Sequence, residues 1–143
     1  MFIGEYTVAI DDKGRISIPA KFRSQLKSKV VVTRGLDNSL FLYTVDEWRK
    51  LAEKLASLPI STANTRAFTR LMLAGAMDCE IDKQGRIIIP SYLKVFAKIG
   101  KRLVLAGLYN RIEIWSEHNW NIYKAQTEKD SNKIAEQLGS LGV

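Results

Sequence analysis

An α+β fold made from two copies of one unit is predicted for this 143-residue chain, and three observations predict it. First, residues 10–23 (IDDKGRISIPAKFR) return as residues 81–94 (IDKQGRIIIPSYLK) at an offset of 71, so Asp11, Gly14, Arg15 and Pro19 meet Asp82, Gly85, Arg86 and Pro90. Second, the echo continues at an offset of 72, where Gly35, Asn38, Leu40, Leu42, Tyr43 and Trp48 meet Gly107, Asn110, Ile112, Ile114, Trp115 and Trp120. Matches at such constrained residue types, in order, mark a duplication. Third, short β-branched runs at turn residues alternate with helical spacing in both halves. A unit of about 45 residues has too little core to be stable alone. The copies are therefore expected to interleave their strands into one closed or nearly closed β-barrel with peripheral helices, which also hides strand edges.

Each element has a local reason. Strands are expected over 3–10 and 77–81, followed by a turn at Gly14 or Gly85 and a short strand in which Ile16 and Ile18, or Ile87 and Ile89, alternate with outward residues. Pro19 and Pro90 suit the first position of a helix, where no amide hydrogen is needed. Short helices over 19–26 and 90–97 follow. Strands over 30–33 and 40–43 flank a turn at Gly35 to Asn38, mirrored by 102–106 and 111–115. Trp48, Leu51, Leu55 and Leu58 recur at three- and four-residue spacing behind the cap candidates Thr44 and Asp46, which predicts an amphipathic helix over 46–58 that Pro59 ends. A second helix is expected over 62–76, with Phe68, Leu71 and Met72 on its apolar side and Arg66 above Arg70. The last helix starts near Glu117, is weakly patterned by Trp120, Tyr123 and Ile134, and should fray from Gly139. The division is a first repeat with its helix at 1–60, a connecting helix at 61–76, and a second repeat with its C-terminal helix at 77–143.

Composition narrows the class. With 46% hydrophobic and 26% charged residues, disorder and collagen-like fibres are excluded. No run approaches the ~18 apolar residues of a membrane span, and MFIGEYTVAI lacks the layout of a signal peptide. The lone cysteine, Cys79, makes no internal disulfide. A cytoplasmic address is expected.

The net charge of +7 is not spread evenly. Residues 11–29 hold six cations against two carboxylates, and residues 82–102 hold six against one, while the rest of the chain is slightly acidic. If a pseudo-two-fold axis sets these blocks side by side, they form one basic patch, the electrostatic footprint of nucleic-acid binding. The pattern Asp-x-x-Gly-Arg supplies the tip. Asp accepts backbone N–H groups, Gly provides the positive φ that closes the turn, and Arg opens the next strand. Arg15 and Arg86 either pair with Asp11 and Asp82 to lock the turn, or face solvent to grip phosphate or guanine. Duplication and charge focusing favour the functional surface. The first copy carries Lys13, Ser17, Lys21 and Arg23 where the second has Gln84, Ile88, Tyr92 and Lys94. Arg15 with Lys13 is thus the expected main reader. Arg86 is an auxiliary contact or lies near a subunit interface.

The segments MFIGEYTVAIDDKGRISIPAKFR, TRGLDNSLFLYTVDEWRKL, DKQGRIIIPSYLKVFAKI and EIW, in order over nearly the whole chain, resemble the MraZ family of bacterial transcriptional regulators, relatives of the AbrB-like swapped-hairpin DNA-binding domains. The resemblance implies tandem AbrB-like repeats in a double-split, swapped-hairpin β-barrel, with copies closed into a homo-oligomeric ring, octamer-like or larger. It also implies cooperative binding of double-stranded DNA at G-rich direct repeats in the promoter of the division and cell-wall gene cluster, and nucleoid association. Its DNA-contacting signature falls on Asp11 to Arg15 and Asp82 to Arg86. Ser39 and Thr44 stand where the family often has Cys and Pro. Repeated subunits match repeated sites, so weak single contacts sum through effective concentration. Lys21, Arg23 and Lys27 would add salt-sensitive phosphate contacts.

An enzyme is not expected. Cys79 and His118 lie in different halves, and no nucleophile elbow, phosphate loop or ligand cluster is present. Glu80 and Asp82 lack a third metal ligand, and no cofactor is expected. The alternative class is an oligomeric scaffold or antitoxin-like binder of an acidic protein, using Arg66, Arg70 and the Trp48 helix. RNA fits less well, because no aromatic interrupts either Arg-bearing strand.

Overall fold

The computed structural model describes residues 1–143. In repeat one, β1 (Phe2–Ala9), β2 (Arg15–Ser17), α1 (Ala20–Arg23), β3 (Lys29–Arg34) and β4 (Leu40–Thr44) lead into α2 (Val45–Ala56). A connecting segment, α3 (Ala63–Thr69) and a π-helical turn (Arg70–Ala74), reaches repeat two. There β5 (Met77–Glu80), β6 (Arg86–Ile88), α4 (Ser91–Phe96), β7 (Arg102–Tyr109) and β8 (Ile112–Ser116) precede α5 (Glu117–Lys129), α6 (Ser131–Gln137) and a 3-10 turn (Gly139–Leu141).

The repeats exchange strands. Six strands form one antiparallel sheet in the order β1-β7-β8-β4-β3-β5, so the first strand of each repeat pairs with the hairpin of the other. The two shortest strands, β2 and β6, form a separate antiparallel ribbon. The ladders leave β1 and β5 as the two ends of the sheet, and the hydrogen-bonded strands do not close into one ring. An isolated bridge between Ile10 and Ile16 links the end of β1 to the ribbon.

Registers locate the symmetry. Ile16 pairs with its own repeat-mate Ile87 at the centre of the ribbon, and Phe41 pairs with its repeat-mate Glu113 at the centre of the sheet. One pseudo-two-fold axis thus passes through both layers. Between them lies a core of 17 buried residues, including Ile16, Ile18 and Phe22 from one copy and Ile87, Ile89 and Leu93 from the other. Period-two alternation sends these isoleucines inward and their neighbours outward. A smaller cluster of Phe41, Tyr43, Leu55 and Met72 seats α2 and the π-turn on the other face of the sheet.

Several boundaries differ from the expectation, each for a local reason. Pro19 and Pro90 are N-caps with extended backbone (φ −53 and −57°) rather than first helical residues, and α1 keeps only four residues. The helix expected over 62–76 widens into the π-turn after Thr69. That turn buries Met72, and its carbonyl accepts the Thr33 hydroxyl at 2.6 Å. The last helix breaks at Asp130, which accepts from Gln126 at 2.7 Å, and the segment expected to fray makes the 3-10 turn instead. Burial and hairpin register match β3 to β7 one residue further on than the offset of 72, so Gly35 and Gly107 do different jobs. Gly35 opens the β3–β4 turn, with Asp37 and Asn38 at positive φ, whereas Gly107 lies inside β7, where a Cβ would stand 2.6 Å from the Ile3 nitrogen of β1. Caps, by contrast, repeat faithfully. Thr44 accepts from the Glu47 amide at 3.1 Å and Ser116 from the Asn119 amide at 3.0 Å.

Candidate nucleic-acid interface

The two turns are built alike, bond for bond. The Asp11 Oδ1 accepts the amides of Lys13 and Arg15 at 2.9 Å each, and Asp82 Oδ1 accepts those of Gln84 and Arg86 at 2.9 and 2.8 Å. Gly14 and Gly85 then take φ of 78 and 76°, a left-handed conformation that closes each turn and that L residues rarely adopt. The backbone bonds from Arg15 and Arg86, ahead of their side-chain bonds, hold both carboxyls below the ordinary 3.8.

The turn-locking pairs expected of the arginines are present. Each guanidinium does pair with its own aspartate, Arg15 Nε to Asp11 Oδ2 at 2.6 Å and Arg86 Nε to Asp82 Oδ2 at 2.9 Å. Only Nε is used. The two terminal nitrogens of each fork have no hydrogen bond within the chain, and each side chain remains under a third exposed. Such an arginine is held by its stem and offers the paired donors that recognise phosphate or a guanine edge.

Ribbon pairing gathers the copies. Arg15 lies across from Ile88 and Ser17 across from Arg86, so all four stand on the outer face while Ile16 and Ile87 face the core. Ile88 is 57% exposed, an outward apolar residue set among cations. Lys13 and Lys21 are exposed and belong to no ion pair, and the same holds for Lys83 in the second turn. Lys27 stands apart from the ribbon. It lines a groove at the start of α2 and faces Asp46 at 3.9 Å, so the phosphate role expected for it lacks this placement.

The sequence did not reveal that each turn is held by the opposite repeat. Ile18 N–H donates to the Gly85 carbonyl at 2.9 Å and Ile89 N–H to that of Gly14 at 2.8 Å. Arg23 Nη1 donates to the Gln84 carbonyl at 3.3 Å, and its guanidinium covers Gly85. Its repeat-mate Lys94 lies over Gly14. Arg23, expected as a phosphate contact, is thus first of all a clamp on the second turn. The only signal in the sequence was the matched position of Arg23 and Lys94 at the offset of 71.

Cys79 is buried, with its thiol pushed up to about 11 chiefly by burial, and His118 is exposed. No group of three or more His, Cys, Asp or Glu is placed to hold a metal ion, and no helix is long and apolar enough to cross a membrane.

Fold and ribbon together define a tandem-repeat, strand-swapped α+β protein that presents two arginine-tipped turns on one cationic face. Residues 1–71 and 72–140 each match the family described as "MraZ protein, putative antitoxin-like", and the chain belongs to this family. It is 50% identical to the transcriptional regulator MraZ of Caldanaerobacter subterraneus subsp. tengcongensis and 52% identical to that of Halothermothrix orenii, each over the whole of both chains. It is likewise 50% identical, over the full length of both, to the transcriptional regulator MraZ of Pediococcus pentosaceus.

Proposed function

We propose that this chain is a transcriptional regulator that binds duplex DNA in a sequence-specific way through the β2–β6 ribbon. The observation that carries the reading is the placement of Arg15 and Arg86 on one outward face, each fixed through Nε with its terminal nitrogens unengaged. A fork so oriented meets guanine N7 and O6 in the major groove, a contact worth about 1–3 kcal/mol. Lys13 and Lys21 supply the sequence-independent phosphate term. Asp11, Asp82, Gly14 and Gly85 shape the turns, and Arg23 holds the second one in place. In this reading the sheet and ribbon are the double-split, swapped-hairpin barrel of the AbrB-like class, with repeats at 1–60 and 77–143 joined by 61–76.

The finer reading follows the family. Copies close into a ring, so that successive ribbons meet successive G-rich direct repeats in the promoter of the division and cell-wall gene cluster, and the protein associates with the nucleoid. Avidity makes the binding cooperative. Selection of bound sequences from random duplex DNA tests it. Enrichment of spaced G-rich repeats is the expected result, and a pool without enrichment overturns it.

A further inference from the structure

We propose that Ile88 reads the methyl group of a thymine on the base pair beside the guanine that Arg15 takes. The inference rests on the DNA-binding reading above and deepens it, adding an apolar base contact to the arginine forks of the ribbon.

The ladder of the ribbon brings the two side chains together. Ile89 N–H donates to the Gly14 carbonyl and Ile18 N–H to that of Gly85, so the hydrogen-bonded positions alternate through the central pair of Ile16 and Ile87. Arg15 and Ile88 fall between them, as a pair of the kind whose Cα atoms approach to about 4.5 Å. Both side chains leave the ribbon on its outer face. Their spacing is close to the rise of one base pair, about 3.4 Å. A fork set on one guanine therefore carries Ile88 to the neighbouring pair. Ile88 is also held in place. Its Cγ2 methyl lies 3.9 Å from where a Cβ on Gly14 would stand, and its branched Cβ restricts χ1. It belongs to the surface of the first turn, although the second repeat supplies it.

The surroundings choose the ligand. Single exposed apolar side chains are ordinary. Ile88, however, is 57% exposed, lies across from Arg15 and stands two residues from Arg86 on the same face, with Lys13 exposed in the adjoining turn. A surface that is apolar at one point and cationic around it matches the major groove, where thymine alone among the four bases presents a methyl group beneath a rim of phosphates. The repeat-mate of Ile88 is Ser17, which is exposed and lies across from Arg86. The two arginines thus obey the pseudo-two-fold axis, and Ile88 and Ser17 break it. A ribbon symmetric at all four positions would accept a site in either direction, as palindromic sites mirror two-fold proteins. Ile88 on one side and Ser17 on the other give the ribbon a direction, which a direct repeat requires.

Selection from random duplex DNA by the full-length chain, followed by a probe made with deoxyuridine, tests this. Wild-type protein should enrich a thymine next to the guanine. Replacing that thymine by deoxyuridine in one repeat of a recovered duplex removes only the methyl, and should weaken binding about fourfold, the worth of one buried methyl-sized group. Ile88→Ser, which installs the residue its repeat-mate already has, should still enrich guanine but show no penalty for deoxyuridine. The wild-type arm alters the DNA and not the protein, so it stands even if the variant folds poorly. Guanine enriched without thymine, a wild-type protein indifferent to deoxyuridine, or an equal penalty in Ile88→Ser overturns the methyl contact and leaves the DNA-binding reading intact. An Ile88→Ser protein that sediments at lower mass and keeps the penalty overturns it too, and makes Ile88 a contact between copies. A pool with no enriched guanine overturns the reading on which the contact rests.

Discussion

The turn at residues 11–15 lies under Lys94, whereas the turn at residues 82–86 lies under Arg23. The turns share every internal bond, so the difference is imported from the opposite repeat. Arg23 forms a hydrogen bond to the Gln84 carbonyl and fills the space above Gly85; Lys94 makes no such bond to the first turn. The second turn is thereby pinned and carries Gln84 and Ile88, while the first is more open and carries Lys13 and Ser17. The two copies thus differ in how firmly the opposite repeat holds their turns. Strand exchange makes this difference possible, because a change in one repeat acts on the turn of the other.

The largest expected effect concerns the core beneath the ribbon. Phe22 and its repeat-mate Leu93 are both fully buried, but only Phe22 meets aromatic edges, those of Phe2 at 5.7 Å and Tyr6 at 5.1 Å. Phe22→Ala should cost about 3–5 kcal/mol and Leu93→Ala about 2–5, with Phe22 the costlier of the two. Urea unfolding at one fixed chain concentration measures both. A larger loss at Leu93 would show that the second repeat carries the core.

Next in size is DNA binding. Arg15→Ala should abolish repeat-specific binding while fold and assembly survive, since each lost guanine contact removes about 1–3 kcal/mol. Arg86→Ala should be milder, because its strand presents Ile88 rather than Ser17. Mobility shifts over a salt series read both effects, and an equal or greater loss at Arg86 reverses the assignment of roles. A slope of log K on log salt near zero would instead favour a protein partner.

How much of this was legible in sequence divides along physical lines. The duplication could be read because it is a direct match of residue types along the chain, and the inward isoleucines, the Asp-x-x-Gly-Arg turns and the α2 cap because each depends on residues within a few positions of one another. The side-by-side arrangement of the two basic blocks followed from symmetry. What could not be read was long-range. Arg23 reaches a residue 61 positions away, and the π-turn exists because Met72 and Thr33 meet across 39. The same limit applies to Lys27, whose charge looked like part of the patch but which the chain carries to a different groove. Charge counted along the sequence marks the right blocks but not which of their cations share a face.

A smaller effect isolates the clamp. Alanine at Gly14 or Gly85 forces a side chain into positive φ, which costs about 1–2 kcal/mol. At Gly14 the nearest atoms beyond that strain lie at 3.4 Å or more, but at Gly85 the new methyl also collides with the Arg23 guanidinium. Gly85→Ala should therefore be the more destabilising of the two. In an Arg23→Ala background that excess should vanish, as a double-mutant cycle would show. An excess that persists without Arg23 would mean that the second turn is held by something else.

The smallest difference expected is none at all, in the titration of the two aspartates. Asp11 and Asp82 both have folded pKa values below the ordinary 3.8, because in each the amide of the following arginine, then its side chain, favours the ionised form. A depressed folded pKa contributes stability that is fully present above the unfolded value and is lost as pH falls through the folded one. Both turns should therefore hold at neutral pH and loosen only below 3.8, with the carboxylate releasing Arg15 or Arg86 as it protonates. Carboxyl carbon shifts followed by NMR through this acid range should give two matching midpoints, since neither Lys94 nor Arg23 bonds to a carboxylate. Midpoints that separate would show that the clamps reach the aspartates after all, and that the repeats differ inside the turn as well as above it.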